Sequence, residues 1–504
     1  MTRLMTLADT WSTAFWQRVS APWRAYLFGA FFVLFYGLWV GGANDSGLLL
    51  HQFAEDWRTY DPRLTYGFDA PLAVLLMAGL STLLPVGAAA LCLSALLWGG
   101  VCALVARVAQ QMSLRSGLAE YILPWLLLAG IALEPFFVRQ AVWSPADAAK
   151  VLLTLSLLVL VRLRAFSLWT GLVAGLLVLV WLEAVFLALL LAVLLARRQR
   201  ALDAALFCVG CALPVALWVA YAHQRFGVWL PIGVYTDVAL YRHGTFAEAA
   251  LRLSHLIGGM FGANFSQNAL NWISGTLGVG LWLLGVARWG RRHTVVALAF
   301  WGTLAYAFLF MAVRTHVSPE AVMVPRLLAC VLMFAGVLTV LEALARLRVP
   351  LSLLRGGVLL VWGVVFSATA WHAKAWITYY ERMRYDIGTF IAAANTTPDA
   401  TILAREAGAV ARASGLHTID WRGRTDDRVQ HALRERAGSQ LVRLLDGTSP
   451  DWLVLRDRDV SNLIASGYTL ERRYTFMQDF ELHPNAPKFL RDNPVYVVFK
   501  RRKK

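Results

Sequence analysis

The residues best suited to chemistry are acids and cations standing at the ends of long apolar runs. Asp45 follows Gly42-Ala43-Asn44, directly after the apolar run 26–42. His51, Glu55, Asp56, Trp57 and Arg58 come next, and then Tyr66-Gly67-Phe68-Asp69-Ala70-Pro71-Leu72. An ionisable group fixed at a membrane boundary is a functional candidate by default. One carboxylate there can take the proton of a hydroxyl as it attacks an activated ester. The plainer reading is that Asp45 marks the water interface; the functional reading is preferred because more polar groups follow in the same stretch. Glu55 and Asp56 read as a solvated face shared with Arg58. Asp69 reads as a cap for a helix opening at Pro71.

A second polar stretch runs Glu134-Pro135, Arg139-Gln140 and Ser144-Pro145-Ala146-Asp147. Asp147 has three readings that the sequence leaves open. It can favour a helix N-terminus, pair with Lys150 one turn on, or return to the level of Asp45 as a second carboxylate at the same lip. Asp45 and Asp147 together could hold a divalent cation (Mg, Mn or Ca), but two acids on separate loops are a sparse ligand set and none is demanded. Cations reach the same side at Arg225, Arg242-His243, Arg314, His316 and Arg326. Arg326 lies inside the apolar run 323–332, where a buried guanidinium needs an anion such as a lipid phosphate or must snorkel to the interface. Arg225, His316 and Arg326, with His51, are the groups expected to contact a lipid phosphate or sugar. The chain carries no P-loop, Gly-rich dinucleotide fingerprint, HExxH or Cys/His cluster.

The elements that position these groups are mostly membrane helices. The chain has 504 residues, 58% hydrophobic and only 15% charged, against about 25% charged in ordinary soluble domains. Eleven runs are long and apolar enough to approach the roughly 17–25 residues that a bilayer requires: 26–42, 88–108, 119–138, 147–163, 166–181, 182–197, 203–222, 273–290, 294–313, 322–342 and 351–371. Residues 71–84 are apolar but short and read as an interfacial helix. Arginines occupy every second connection, at Arg107, Arg162, Arg197, Arg288 and Arg346 and their neighbours. By the positive-inside rule those connections and the N-terminus face the cytoplasm. The first polar stretch and residues 372–504 then lie outside. Of 31 acidic residues, 16 fall in those last 133, so a polytopic body (1–371) precedes a water-soluble domain (372–504). The net charge of +16 belongs to lipid-facing loops, not to nucleic-acid binding. A secreted enzyme, a cytosolic factor and a dedicated nucleic-acid binder are excluded.

In the C-terminal part, Asp399–Ala404 leads into a turn, and 452–455 and 495–499 read as buried strands. Helical patterns near 427–437 and 439–445 alternate with them, giving an α/β module. Residues 501–504 read as a frayed basic tail.

Four stretches carry a family resemblance. Asn44-Asp45-Ser46-Gly47-Leu48 stands where C-type (GT-C) glycosyltransferases of the bacterial arabinofuranosyltransferase branch have an Asp-Asp-Ala-Tyr-Ile-like motif. Tyr66–Leu72 resembles that branch's Gly-Phe/Tyr-Thr-Ser/Asn-Pro-Leu motif. Phe226-Gly227 through Pro231 to Tyr235 is similar to its Tyr/Phe-Gly-x-x-x-Pro-Asn-Thr-Tyr-Tyr segment. Arg405 through Ser414-Gly415 to Asp420 and Gly423, with Pro450-Asp451-Trp452 following, resembles the pattern of its soluble tail. Asn44 replaces the first of the paired acids, and Asp69 replaces a small polar residue.

The resemblance implies a polyprenyl-phosphate-linked sugar donor, a glycan, lipid or protein acceptor, and a multi-pass protein of the bacterial inner membrane acting on its outer face. A sugar phosphoester carries its own leaving group, so one base suffices, with cations on the departing phosphate. Asp45 is then the base, Asp147 its support, and single displacement inverts the anomeric centre. Two rivals remain open, a transporter or flippase of a lipid-linked sugar and a non-catalytic scaffold that binds envelope glycans. Glu183, between two short runs, is the residue that keeps transport in view.

Overall fold

A computed structural model describes residues 22–59, 70–113, 134–163, 166–197, 201–227, 229, 269–289, 298–304, 319–346, 351–421, 425–426, 428–429, 432, 439–487 and 495–502. Helix α1 (Pro22–Val40) is apolar on nearly every side and ends at Gly41, whose φ of +86° only glycine adopts without strain. Asn44 then starts α2 (Asp45–Thr59): its side-chain oxygen accepts the Gly47 N–H at 3.0 Å, the usual work of an N-cap. Helix α3 (Pro71–Leu80) opens on proline and is a turn shorter than the 71–84 expected. The long α4 follows (Val86–Ser113).

The end of the expected 119–138 run is corrected. A separate helix, α5 (Pro135–Trp143), starts at Glu134, whose carboxylate accepts the Phe137 N–H at 2.8 Å, and all nine of its residues are buried. After the extended Ser144 comes α6 (Pro145–Leu163). Helices α7 (Ser167–Val180) and α8 (Ala184–Arg197) are separated at Trp181, which is extended. Then come α9 (Ala201–Phe226), α10 (Ala269–Trp289), α11 (Pro319–Arg346) and α12 (Leu351–Ala375). Three described segments are long and apolar enough to cross a membrane: Pro22–Val40, Val86–Val108 and Ala201–Phe226. Their outward side chains are those of lipid-solvated helices: Phe31, Phe35, Leu38, Leu213 and Leu217 are all more than half exposed. The chain is thus mostly helical and membrane-associated.

Small residues set the helix contacts, as is usual where lipid tails are as apolar as any side chain. A methyl on Gly171 or Gly175 of α7 would overlap backbone of α9 at Phe207 and Cys211, and one on Gly336 of α11 would overlap the Leu281 carbonyl of α10. A cluster including Leu157, Leu177, Trp181, Leu187, Phe207, Leu298, Val324 and Leu332 packs around these contacts.

Two compact units result. The first holds residues 1–36, 91–218 and 244–370; the second holds 37–90, 219–243 and 371–504. In the second unit α12 passes through a π-helical turn (Trp376–Glu381) into α13 (Arg382–Ala394). Next come β1 (Thr401–Ala404), α14 (Ala407–Ser414), β2 (His417–Asp420), α15 (Gln440–Thr448), β3 (Trp452–Arg456), α16 (Asp457–Ala465), α17 (Leu470–Arg473), β4 (Tyr474–Phe480) and β5 (Tyr496–Arg501). The sheet order is β2-β1-β3-β5-β4, parallel among the first three strands and antiparallel at β5 and β4. Strand alternation gives the sheet two cores. Leu403, Leu453 and Leu455 face Leu444 and Leu463 of α15 and α16. Ile402, Ala404 and Val454 face Ile387 and Ile391 of α13 and Val410 of α14. Strands β1, β2 and β4 were not expected from sequence. The reading of residues 501–504 as frayed is corrected at its start, since the Arg501 N–H donates to the Asp451 carbonyl at 2.7 Å and the Arg502 N–H to the Arg473 carbonyl at 2.8 Å.

Candidate functional site

Two polar sites emerge, one in each unit. In the first unit the polar groups gather on α5, the first turn of α6, and α11. Glu134 uses one carboxylate oxygen to cap α5 and the other to accept Arg326 Nη2 at 2.5 Å. The Arg326 guanidinium also lies 4.5 Å over the Phe136 ring, and that of Arg139 lies 5.5 Å from the same ring and 5.0 Å from Trp143. Arg139 is 8% exposed and within electrostatic range of Tyr36, Arg326 and Glu134. Among the described residues it has no carboxylate at ion-pair distance. The Nε of Arg139, both amide atoms of Gln140 and the Trp143 indole nitrogen are buried without a hydrogen-bond partner among the described residues. A buried polar group in that state costs about 1–3 kcal/mol.

Asp147, 1% exposed, accepts Lys150 Nζ at 2.7 Å, so the local ion pair considered from sequence is formed. It adds no net charge. With Glu134 answering Arg326, the Arg139 cation is in excess, and the cluster is suited to an anion. It is poorly suited to a divalent ion, because the Asp147 carboxylate is already held by an ammonium group. Among the described residues no three His, Cys, Asp or Glu side chains gather as metal ligands would.

Asp45 takes the first position of α2, immediately after the Asn44 cap, and belongs to the second unit. Asp147 belongs to the first. Arg225 lies exposed in the last turn of α9, its guanidinium 5.9 Å from the Phe226 ring, and Phe226 meets Trp57 of α2 at 6.2 Å. His316 lies outside the described residues, as does Asp69. Ala70, the residue before Pro71, supplies no side-chain cap.

His51 of α2 opens onto a cavity of about 700 Å³ in the second unit, closed by the turn 81–86 and by α14 and β2. It is 6% exposed, and its Nδ1 has no hydrogen-bond partner among the described residues. Burial, aided by the charge of Arg412, lowers its pKa from 6.5 to about 4. On the same helix Gln52 donates to Asp56 at 2.6 Å and Arg58 pairs with Glu55. Across the cavity Gly415, with φ of +66°, ends α14 and turns the chain into β2, where His417 bonds Asp426 at 3.1 Å. Burial alone would raise the Asp426 carboxyl, but hydrogen bonds from His417 and Arg428 outweigh it and hold the group far below its usual range.

Sequence reasoning named Arg139 and Gln140 in the second polar stretch without giving them a role, and passed over Arg412 and Thr418. The signal for the first two was present: two polar residues stand within nine otherwise apolar positions, between two X-Pro helix starts at Glu134-Pro135 and Ser144-Pro145.

Residues 374–499 match a family described as a domain of unknown function (DUF8728). No curated protein and no solved structure matches the chain.

Proposed function

We propose that this chain is a GT-C-type membrane glycosyltransferase, with about eleven membrane helices, its N-terminus in the cytoplasm and its sheet domain outside the bacterial inner membrane. It transfers a sugar, arabinofuranose in the branch it resembles, from polyprenyl phosphate to a hydroxyl of a glycan, lipid or protein. The observation that carries this reading is the buried, cation-rich cluster of Arg139, Gln140 and Arg326, because a buried guanidinium with no carboxylate at ion-pair distance among the described residues, as Arg139 is, calls for an anion. A lipid phosphate supplies one.

In the reaction the acceptor oxygen attacks the anomeric carbon while the bond from that carbon to the phosphate oxygen breaks. The electron pair leaves with the lipid phosphate, held by Arg139 and Arg326, and the hydroxyl proton passes to a carboxylate base, the role that the family resemblance gives to Asp45. Asp147 and Lys150 keep the α5–α6 junction fixed beside the phosphate. No step is routed through a metal ion.

The test is transfer from synthetic polyprenyl-phosphate arabinofuranose and related donors by the purified protein in detergent, with Asp45→Asn and Arg139→Gln beside it. Loss of turnover in a folded Asp45→Asn protein and a raised donor KM in Arg139→Gln are expected. Turnover equal to wild type in Asp45→Asn would remove that residue from the mechanism. The break between α7 and α8 beside Glu183 favours a transporter as the second reading. That reading would prevail if the wild type moved the lipid across vesicles and transferred nothing.

A further inference from the structure

We propose that the cavity between α2 and the α14–β2 segment is a binding site for a neutral saccharide chain, built within the second unit. Its size, about 700 Å³, falls inside the range of roughly 300–1,000 Å³ typical of ligand pockets. Its charges cancel: Glu55 and Asp56 on one helix face are matched by Arg58 and Arg412. That balance argues against a phosphate and against a cation, and in favour of a ligand that is polar without being charged.

The hydrogen-bonding groups are mixed in the way a polyol requires. Carboxylates accept and Arg412 donates; the Gln52 amide, which donates to Asp56, keeps its oxygen as an acceptor, the Thr418 hydroxyl, which donates to the Leu416 carbonyl, can accept, and the Thr425 hydroxyl, which accepts the Asp420 N–H, can donate. His51 lines the same wall as a buried imidazole, its Nδ1 enclosed behind the cavity surface. Leu49, Phe53, Pro85 and Leu416 supply apolar wall for the C–H faces of the rings. Gly415 brings the backbone of α14 and β2 around the rim without a side chain in the way.

This binding is independent of catalysis. Only the identification of the bound chain as the acceptor rests on the transferase reading. The test is calorimetry and saturation-transfer NMR on the full-length protein in detergent, without donor lipid. The probes are short arabinan, mannan and galactan oligosaccharides, with inorganic phosphate as the anion control. At least one oligosaccharide should bind saturably. Gln52→Leu and Thr418→Val, checked for wild-type melting, should each weaken it about tenfold, which is the effect of about 1.4 kcal/mol.

A folded wild type that binds no oligosaccharide overturns the proposal. So does binding that both cavity variants leave unchanged, or phosphate displacing the sugar. Binding without transfer leaves the site standing and removes the transferase; transfer without binding does the reverse.

Discussion

Glu134 holds two structures together with one carboxylate, and removing its charge separates them. Glu134→Gln keeps an oxygen for the Phe137 N–H and so preserves the α5 cap, but removes the carboxylate charge that pairs with Arg326. Breaking a buried pair by removing one partner costs about 3–5 kcal/mol. The side chains of Arg326 and Glu134 keep 12% and 15% exposure, so the lower end, about 3 kcal/mol, applies. Bare attraction between unit charges 2.5 Å apart in an effective dielectric of about 20 is about 7 kcal/mol, from which the desolvation of both ions takes back a part. Glu134→Ala should lose about 1 kcal/mol more, the usual worth of a helix cap. Arg326→Gln should cost less than Glu134→Gln, because the surviving carboxylate still caps α5 and lies within range of Arg139. Equilibrium unfolding in mixed micelles, run on both single variants and the double variant, measures the coupling directly. A coupling below about 0.5 kcal/mol would refute the argument that this pair is desolvated. Equal losses in Glu134→Gln and Glu134→Ala would refute the division of labour between the two oxygens.

The small-residue contact between α10 and α11 makes Gly336→Ala destabilising by about 1–3 kcal/mol, since the new methyl meets backbone that cannot turn aside. Gly280→Ala on α10, where nothing lies within 4 Å, should be neutral or slightly stabilising on the same unfolding assay. His51 predicts an acid limb. Between its ordinary pKa of 6.5 and its folded value of about 4, the unfolded chain is protonated there and the folded chain is not. Stability therefore falls as pH drops through that window, by about 3 kcal/mol at most, and then levels off. A His51→Gln protein should show a flatter stability–pH profile between those two values, and an unchanged acid limb would assign the effect to another group.

Parts of the architecture were legible because they depend on local composition. The runs around α1, α4 and α9 are apolar on all sides and long, which water does not tolerate in a folded chain. The α7–α8 break followed from an acid between two runs too short to tolerate it. The strands at 452–455 and 495–499 are continuous apolar segments, as strands covered on both faces must be. Strand β4 was illegible because most of its residues are exposed, and β2 because it is four residues long and begins on His417. The site was half legible. Asp147 and Arg326 were visible as charges within apolar runs, but the partner of Arg326 lies 192 residues away, and no local pattern specifies such a pairing.

What the sequence determined by itself is the solvent of each segment and the ends of many helices. Hydropathy decides lipid or water residue by residue, and Pro135, Pro145, Asn44 and Gly415 act on their own backbone. What only the tertiary structure decided is the company each polar group keeps. Glu134 became the partner of Arg326, Arg139 was left with no carboxylate at ion-pair distance among the described residues, and His51 became a buried imidazole on a cavity wall. Burial and electrostatic pairing depend on which elements close over a side chain, and chain order does not encode that proximity.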